Sequence, residues 1–446
     1  MDKGIFSVDK VNLQNTAESA LNYAKKLGST SASVEVGESL GQSVGVRKAK
    51  IDTIEFSRDK NLSVTVYHGD RSGYSSTSDL SPDAVKKAVE AASTIAKYTQ
   101  PDKFSGLPEK SLLVSDPEDL DLYHPIDLGI NDALEIANRC EKAAFEADSR
   151  ILNSDGATFT TGKQIFVLAN SLGLMVGYPT TTHSISCAVV AGKGDKMQRD
   201  SWWTVARNLD YLESPEAVGK KAGERASRRV GARKIQTQKV PVVFDSSIAS
   251  SILGHLVSAI SGGALYRQQS FLTDSLGVQI FPKNIEVIDQ PRIKCGLSSC
   301  AFDSEGVVTR DRKIIERGKV KGYFLSSYSA RKLGMRSTGN AGGDHNLSMG
   351  STGESLQDIL KSISKGFLVT EMLGMGVNGL TGDYSRGAAG FWIENGEIAF
   401  PVEEVTVAGN LKDMFKSVVA VGSDGLRRSS RQCGSILIES MTVAGN

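Results

Sequence analysis

The chain has 446 residues, of which 40% are hydrophobic and 23% charged, and its net charge is +1 at neutral pH. That length exceeds what one ordinary core organises, so two domains are expected. The composition is that of a soluble globular protein, and the near-zero charge argues against a dedicated nucleic-acid surface. The basic run Arg225 to Lys234 reads as a solvated helix end beside a domain junction. The opening residues carry no apolar leader core and no stretch approaches the length of a membrane span, so cytoplasmic residence away from membranes is expected. Cys140, Cys187, Cys295, Cys300 and Cys433 fit a reducing compartment and free thiols.

In chain order, Ala17, Ala20, Leu21, Ala24 and Leu27 mark one face of a first helix that Gly28 ends. Short alternating segments at 32–36, 43–46, 53–56 and 62–67 predict an antiparallel meander. Its turns are expected at Arg58-Asp59-Lys60-Asn61 and Gly69-Asp70. Ser81-Pro82-Asp83 opens a second helix that runs to about Tyr98. A third helix is predicted over 131–147, strands over 156–206, and a helix over 214–229. The basic, glycine-interrupted stretch 229–239 is the expected boundary between domain 1–235 and domain 236–446. The second half opens with a strand at 240–244 and a helix holding His255, and then becomes glycine-rich and strand-rich. Asn395-Gly396 predicts a tight type I′ hairpin, a short helix is expected near 355–363, and residues 434–443 suit a last strand. The fold class expected is α+β. The N-terminal domain combines a meander with helices, and the C-terminal one is dominated by a large antiparallel sheet or open barrel.

The five histidines allow a complete search for metal chemistry. His68, His124 and His183 show no acidic or thiol neighbour at ligand spacing and read as structural or surface residues. A zinc peptidase helix needs two histidines and a glutamate that activates metal-bound water. His255 is followed instead by Leu256 and lies beside an apolar stripe of Ile248, Ile252, Leu256 and Ile260, so it reads as a helix-packing residue. His345, in Gly342-Gly343-Asp344-His345, suits either a backbone-lined binding loop or a tight surface connection. Asp383, Tyr384 and Arg386 precede a glycine-alanine run. That combination suits an added peptide strand with Arg386 holding a carboxylate, or an Asp383–Arg386 pair within a turn. No nucleophile elbow and no phosphate-binding glycine loop is present.

Separated blocks carry a resemblance to a known family. They include Thr65-Val-Tyr-His68, Phe302-Asp-Ser-Glu-Gly-Val307, Ser326-Ser-Tyr-Ser-Ala-Arg-Lys-Leu-Gly334, Thr381-Gly-Asp-Tyr-Ser-Arg-Gly-Ala-Ala-Gly390 and Val407-Ala-Gly-Asn-Leu-Lys-Asp-Met414. The chain resembles the non-metal subunit of the TldD/TldE (PmbA/TldD) metalloprotease family. The resemblance implies a heterodimer whose TldD-like partner carries zinc on a His-Glu-x-x-x-His helix with a cysteine ligand. It places His255 at the first histidine, Leu256 at the glutamate, Ile260 at the second histidine and Val421 near the cysteine. This chain is therefore expected to hold no zinc there, to contain no catalytic residue and to be inactive alone. It would supply a substrate channel for peptides or unfolded segments through His255, His345, Asp383, Tyr384 and Arg386. In isolation it could form a homodimer. The resemblance leaves two alternatives, a non-proteolytic regulator of the DNA gyrase modulator kind and a self-sufficient homodimeric peptidase.

Overall fold

The computed structural model describes residues 6–445, so the first five residues of the opening stretch lie outside it. The first half contains α1 (Lys10–Lys26), β1 (Ser31–Arg47), β2 (Lys50–His68), β3 (Arg71–Thr77), α2 (Pro82–Tyr98), α3 (Ile130–Ala147), β4 (Ile151–Asn170), β5 (Met175–Val176), β6 (Pro179–Ala191), β7 (Gln198–Ala206) and α4 (Pro215–Arg228). Its strands form one antiparallel sheet in the order β3-β2-β1-β4-β6-β7, with β5 on β4. Leu13, Ala17, Ala20 and Ala24 of α1 and Val85, Val89 and Ala92 of α2 bury against Val34, Val36, Val64 and Val66. Farther along the sheet, the small residues of α3 and α4 pack on Phe159, Ile185 and Cys187. Ser81 caps α2 by accepting from Ala84 N, ahead of a proline in the first turn, as its sequence predicts.

The meander takes a different form from the expected one. The four short segments are two long strands, and the expected turn at 58–61 lies inside β2, where Asp59 and Asn61 pair with Ser39 and Gly37. The chain reverses at Lys48-Ala49, both with positive φ (52° and 57°). Neither residue is one that favours such a turn, and the cause is remote. Glu141 of α3, itself buried, accepts from both Lys48 N and Ala49 N at 2.8 Å.

The second half begins with β8 (Gln238–Phe244), α5 (Ser246–Ala259) and α6 (Gly262–Tyr266). Long connections then carry β9 (Val287–Asp289), β10 (Arg312–Glu316), β11 (Lys319–Val320), α7 (Ser327–Lys332), β12 (Leu347–Met349) and α8 (Leu356–Lys361). The chain finishes with β13 (Lys365–Leu373), β14 (Asp383–Glu394), β15 (Glu397–Asn410), α9 (Leu411–Lys416), β16 (Val418–Val421), β17 (Arg431–Gln432) and β18 (Ile436–Ala444). Strands β15-β14-β13-β8-β18 form a ring that β15–β18 pairing closes, with β16 pairing the earlier part of β18 on the edge that β15 takes later. The expected open barrel is thus a closed one of five strands, and its β8–β13 pair is parallel. Val242 and Phe244 share a core with Ile252, Leu253 and Leu256 of α5, whereas Val243 and Leu437 face α8. Asn395 and Gly396 turn the β14–β15 hairpin with φ of 52° and 82°, the predicted type I′ signature. A small sheet, β11-β10-β9-β12-β17, lies beside the barrel. No helix among the described residues is long and apolar enough to cross a membrane.

The two halves are tied by polar contacts from the segment after α2. Tyr328 donates to Asp102 at 2.6 Å, and Arg331 donates to the carbonyls of Phe104 and Gly106. Arg207 reaches across to the carbonyls of Gly296 and Leu297.

Candidate functional site

Helix α5 starts with Asp245 accepting from Ser247 N and carries His255 to the edge of the barrel core. The His255 ring meets Tyr384 edge-on, with centroids 5.7 Å apart. Its Nε2 is buried without a hydrogen-bond partner among the described residues. Burial, and then the positive charges of Arg386 and Arg431, push its pKa down to about 4, so the ring is neutral at physiological pH. Tyr384 is buried on β14, and burial pushes its phenol up to about 12.

The other residues expected at a lost metal position are apolar and enclosed. Leu256, Ile260 and Val421 are each 0% exposed and belong to the barrel core. Val421 is further fixed through its backbone, which exchanges hydrogen bonds with Thr352. A zinc ion here would meet one imidazole nitrogen and a wall of aliphatic carbon. The donor set does not fit the metal, and no water-activating base adjoins His255.

Arg431 on β17 is what joins His255 to the glycine-rich loop. Its guanidinium makes a two-pronged pair with Asp344, at 2.7 and 2.8 Å. On its other side it lies against α5, where a Cβ placed on Gly254 would come 3.0 Å from Nη1. Gly342 and Gly343 have φ of 107° and 121°, which only glycine adopts readily. They turn the chain so that His345 points inward.

His345 Nδ1 donates to Asp289 Oδ2 at 2.9 Å, and His345 N donates to Asp289 Oδ1. Asn340 also donates to Asp289. Burial opposes a charged ring, but the hydrogen bonds to Asp289 and Cys300 outweigh it and push His345 up to about 10. His345 is therefore no surface connection. It lines a cavity of about 500 Å³ between the first-half sheet (Gly37, Phe166) and the second-half loops (Cys300, Gly343). Asp303, in the same cavity, is pushed up to about 6 by burial.

Tyr384 and Arg386 lie with His255, and His345 is linked to it through Asp344 and Arg431. Asp383 stands apart, exposed, accepting from Thr381 and Asn410. It does not pair with Arg386, whose Nε donates to the Gly374 carbonyl, so the alternative of a mutual turn pair is not formed. Arg431 and Asp289 carry no local sequence signal, because their partners lie 87 and 56 residues away. His124, which shows no ligand-type neighbour by spacing, acquires two through the fold. Asp121 and Cys295 both lie against its ring.

These features define a class, an α+β chain whose closed barrel core sets a single histidine among buried aliphatic side chains. Family comparison gives the same scaffold. Residues 32–96 match PmbA/TldA metallopeptidase domain 1, 123–230 the central domain and 237–445 the C-terminal domain. The chain is 46% identical to Metalloprotease PmbA of Escherichia coli O157:H7 over 431 residues, 96% of each chain. It is 44% identical to a Metalloprotease PmbA homolog of Haemophilus influenzae, covering 99% of this chain and 98% of the relative. A crystal structure described as a putative modulator of DNA gyrase from Bacteroides thetaiotaomicron superposes with TM-score 0.91 at 29% identity, covering 97% of this chain and 99% of the other. TldE from Thermococcus kodakarensis shares the fold, with TM-score 0.85 at 23% identity over 96% of this chain and 100% of the other. The chain belongs to the PmbA/TldD metallopeptidase family.

Proposed function

We propose that this chain is the non-catalytic subunit of a cytoplasmic TldD/TldE-type metalloprotease that trims peptides and unfolded segments. A TldD-like partner would carry the zinc. The observation that supports this most is the burial of Leu256, Ile260 and Val421 in the barrel core, which leaves His255 as a lone donor. The neutral, unpartnered His255 ring and the cavity at His345 would contribute to the substrate path. The relatives' printed names support peptidase chemistry for the complex.

The test is peptide cleavage by this chain alone, by a TldD-type partner alone, and by the mixture. Chelator-sensitive cleavage by the mixture, with none from this chain, is expected. Cleavage by this chain alone that disappears on His255→Ala would overturn the reading. A second reading, a non-proteolytic gyrase regulator, is suggested by the printed description of the Bacteroides structure. It requires an effect of the purified chain on gyrase supercoiling that persists with no partner present.

A further inference from the structure

Two loops that belong to different halves of the molecule meet around three unlike side chains. Asp121 and His124 lie in the segment before α3, and Cys295 lies in the connection between β9 and β10. The Cys295 Sγ is 3.1 Å from Asp121 Oδ2 and 3.5 Å from His124 Nε2. The His124 Nε2 is 3.3 Å from Asp121 Oδ1. Among the described residues this is the one group of three or more ligand-type side chains whose donor atoms all fall within 4.8 Å of one another.

We propose that Asp121, His124 and Cys295 form a binding site for a zinc-class divalent cation, separate from the degenerate protease position. The geometry carries the assignment. Zinc bonds of about 2.3 Å to sulfur and about 2.0–2.2 Å to nitrogen and oxygen, at tetrahedral angles, require donor–donor edges of roughly 3.3–3.6 Å. The His124 Nε2–Asp121 Oδ1 separation of 3.3 Å and the His124 Nε2–Cys295 Sγ separation of 3.5 Å match two such edges. Cys295 Sγ meets the other carboxylate oxygen, Oδ2, at 3.1 Å, and one donor atom from each residue lies within 4.8 Å of the other two. Thiolate, imidazole and carboxylate together suit zinc better than calcium or magnesium, which take oxygen donors.

The scaffold holds the face in place. His124 N donates to Thr181 Oγ1, and its carbonyl faces the His183 ring. Cys295 N donates to the Leu120 carbonyl at 3.0 Å. Partial exposure of Asp121 (55%) and His124 (23%) leaves the fourth position to water. Binding the cation would release the Cys295 thiol proton to solvent and replace the S–H···O bond to Asp121 with a sulfur–metal and an oxygen–metal bond. The ion would fasten the first half to the segment that runs into Leu297–Cys300, one wall of the 500 Å³ cavity. Its role is therefore a clasp that sets the cavity wall.

The test is titration of the chelator-treated full chain with Co²⁺. One equivalent is expected, with a thiolate-to-cobalt charge-transfer band that Zn²⁺ abolishes. Cys295→Ser should remove the band, and His124→Ala should weaken binding by about tenfold or more. Circular dichroism melts would confirm that both variants fold, and Zn²⁺ should raise the midpoint of the parent but not of Cys295→Ser. His255→Gln should bind as the parent does. No thiolate band, or a band unchanged in Cys295→Ser, would overturn the site. Loss of the band in His255→Gln alone would overturn it too, and would also undo the non-catalytic reading.

Discussion

His255 offers a direct measurement of how strongly its surroundings on α5 exclude water. Its ring has a folded pKa of about 4 against an ordinary value of 6.5. As pH falls below 6.5 the unfolded chain takes up the proton first, so the native state loses stability between about 6.5 and 4. At pH 5 the full gap is worth about 2 kcal/mol, and screening of an incompletely enclosed ring trims it to about 1–2 kcal/mol. His255→Gln cannot titrate, so its stability should fall less than that of the parent between pH 7 and pH 5 by this amount. Denaturant unfolding of both proteins at the two pH values gives the difference, in which other groups cancel. Histidine-selective carbon-13 labelling gives the pKa itself, since the chain has five histidines and the signal missing from His255→Gln is the one to follow. A signal that titrates at 6.5 or above, with identical pH slopes for the two proteins, would refute the account of a desolvated ring between two cations.

Arg431→Ala would strand Asp344, whose side chain is 6% exposed, at a cost of about 3 kcal/mol in denaturant unfolding. The same variant should raise the His255 pKa by removing one of its cations. His345, held at about 10, adds stability that is full below about 6.5 and is lost as pH rises through about 10. His345→Ala should therefore flatten the alkaline limb of the pH–stability curve, measured by thermal unfolding. Glu141→Ala removes both acceptors of the Lys48-Ala49 turn and should cost about 2 kcal/mol, with faster amide exchange at those two residues. Leu256→Glu would place a carboxylate next to His255 at a position with 0% exposure. It should destabilise by about 4 kcal/mol or more without conferring cleavage, read by melting and peptide assay.

Much of the fold was legible where a local rule decides the backbone. Ser81-Pro82-Asp83 begins a helix because a cap and a fixed φ act within four residues. Asn395-Gly396 reverses the chain because both residues tolerate positive φ. Lys48-Ala49 has the same geometry with the wrong residues, and the turn holds because a buried carboxylate on α3 accepts both of its amides. The polar run at 58–61 looked like a turn for a related reason. The outer part of β2 projects beyond the core with most of its side chains in solvent, so nothing selects apolar alternation there.

The site divides along the same physical line. The apolar stripe beside His255 could be read from residue identities along α5, because helix spacing converts sequence directly into geometry. Only the structure shows that Leu256 and Ile260 are part of the barrel's packing, so donors placed there one at a time would enter a closed core. The Asp121–His124–Cys295 face is the opposite case. Its carboxylate and ring are three residues apart, but its thiol comes from 171 residues beyond the histidine, and the loops that present it have no period from which to read a face. Fold membership therefore does not decide chemistry here: a metal bound by this chain would bear on peptidase activity only if its binding depended on His255, whereas dependence on Cys295 would mark the proposed second site.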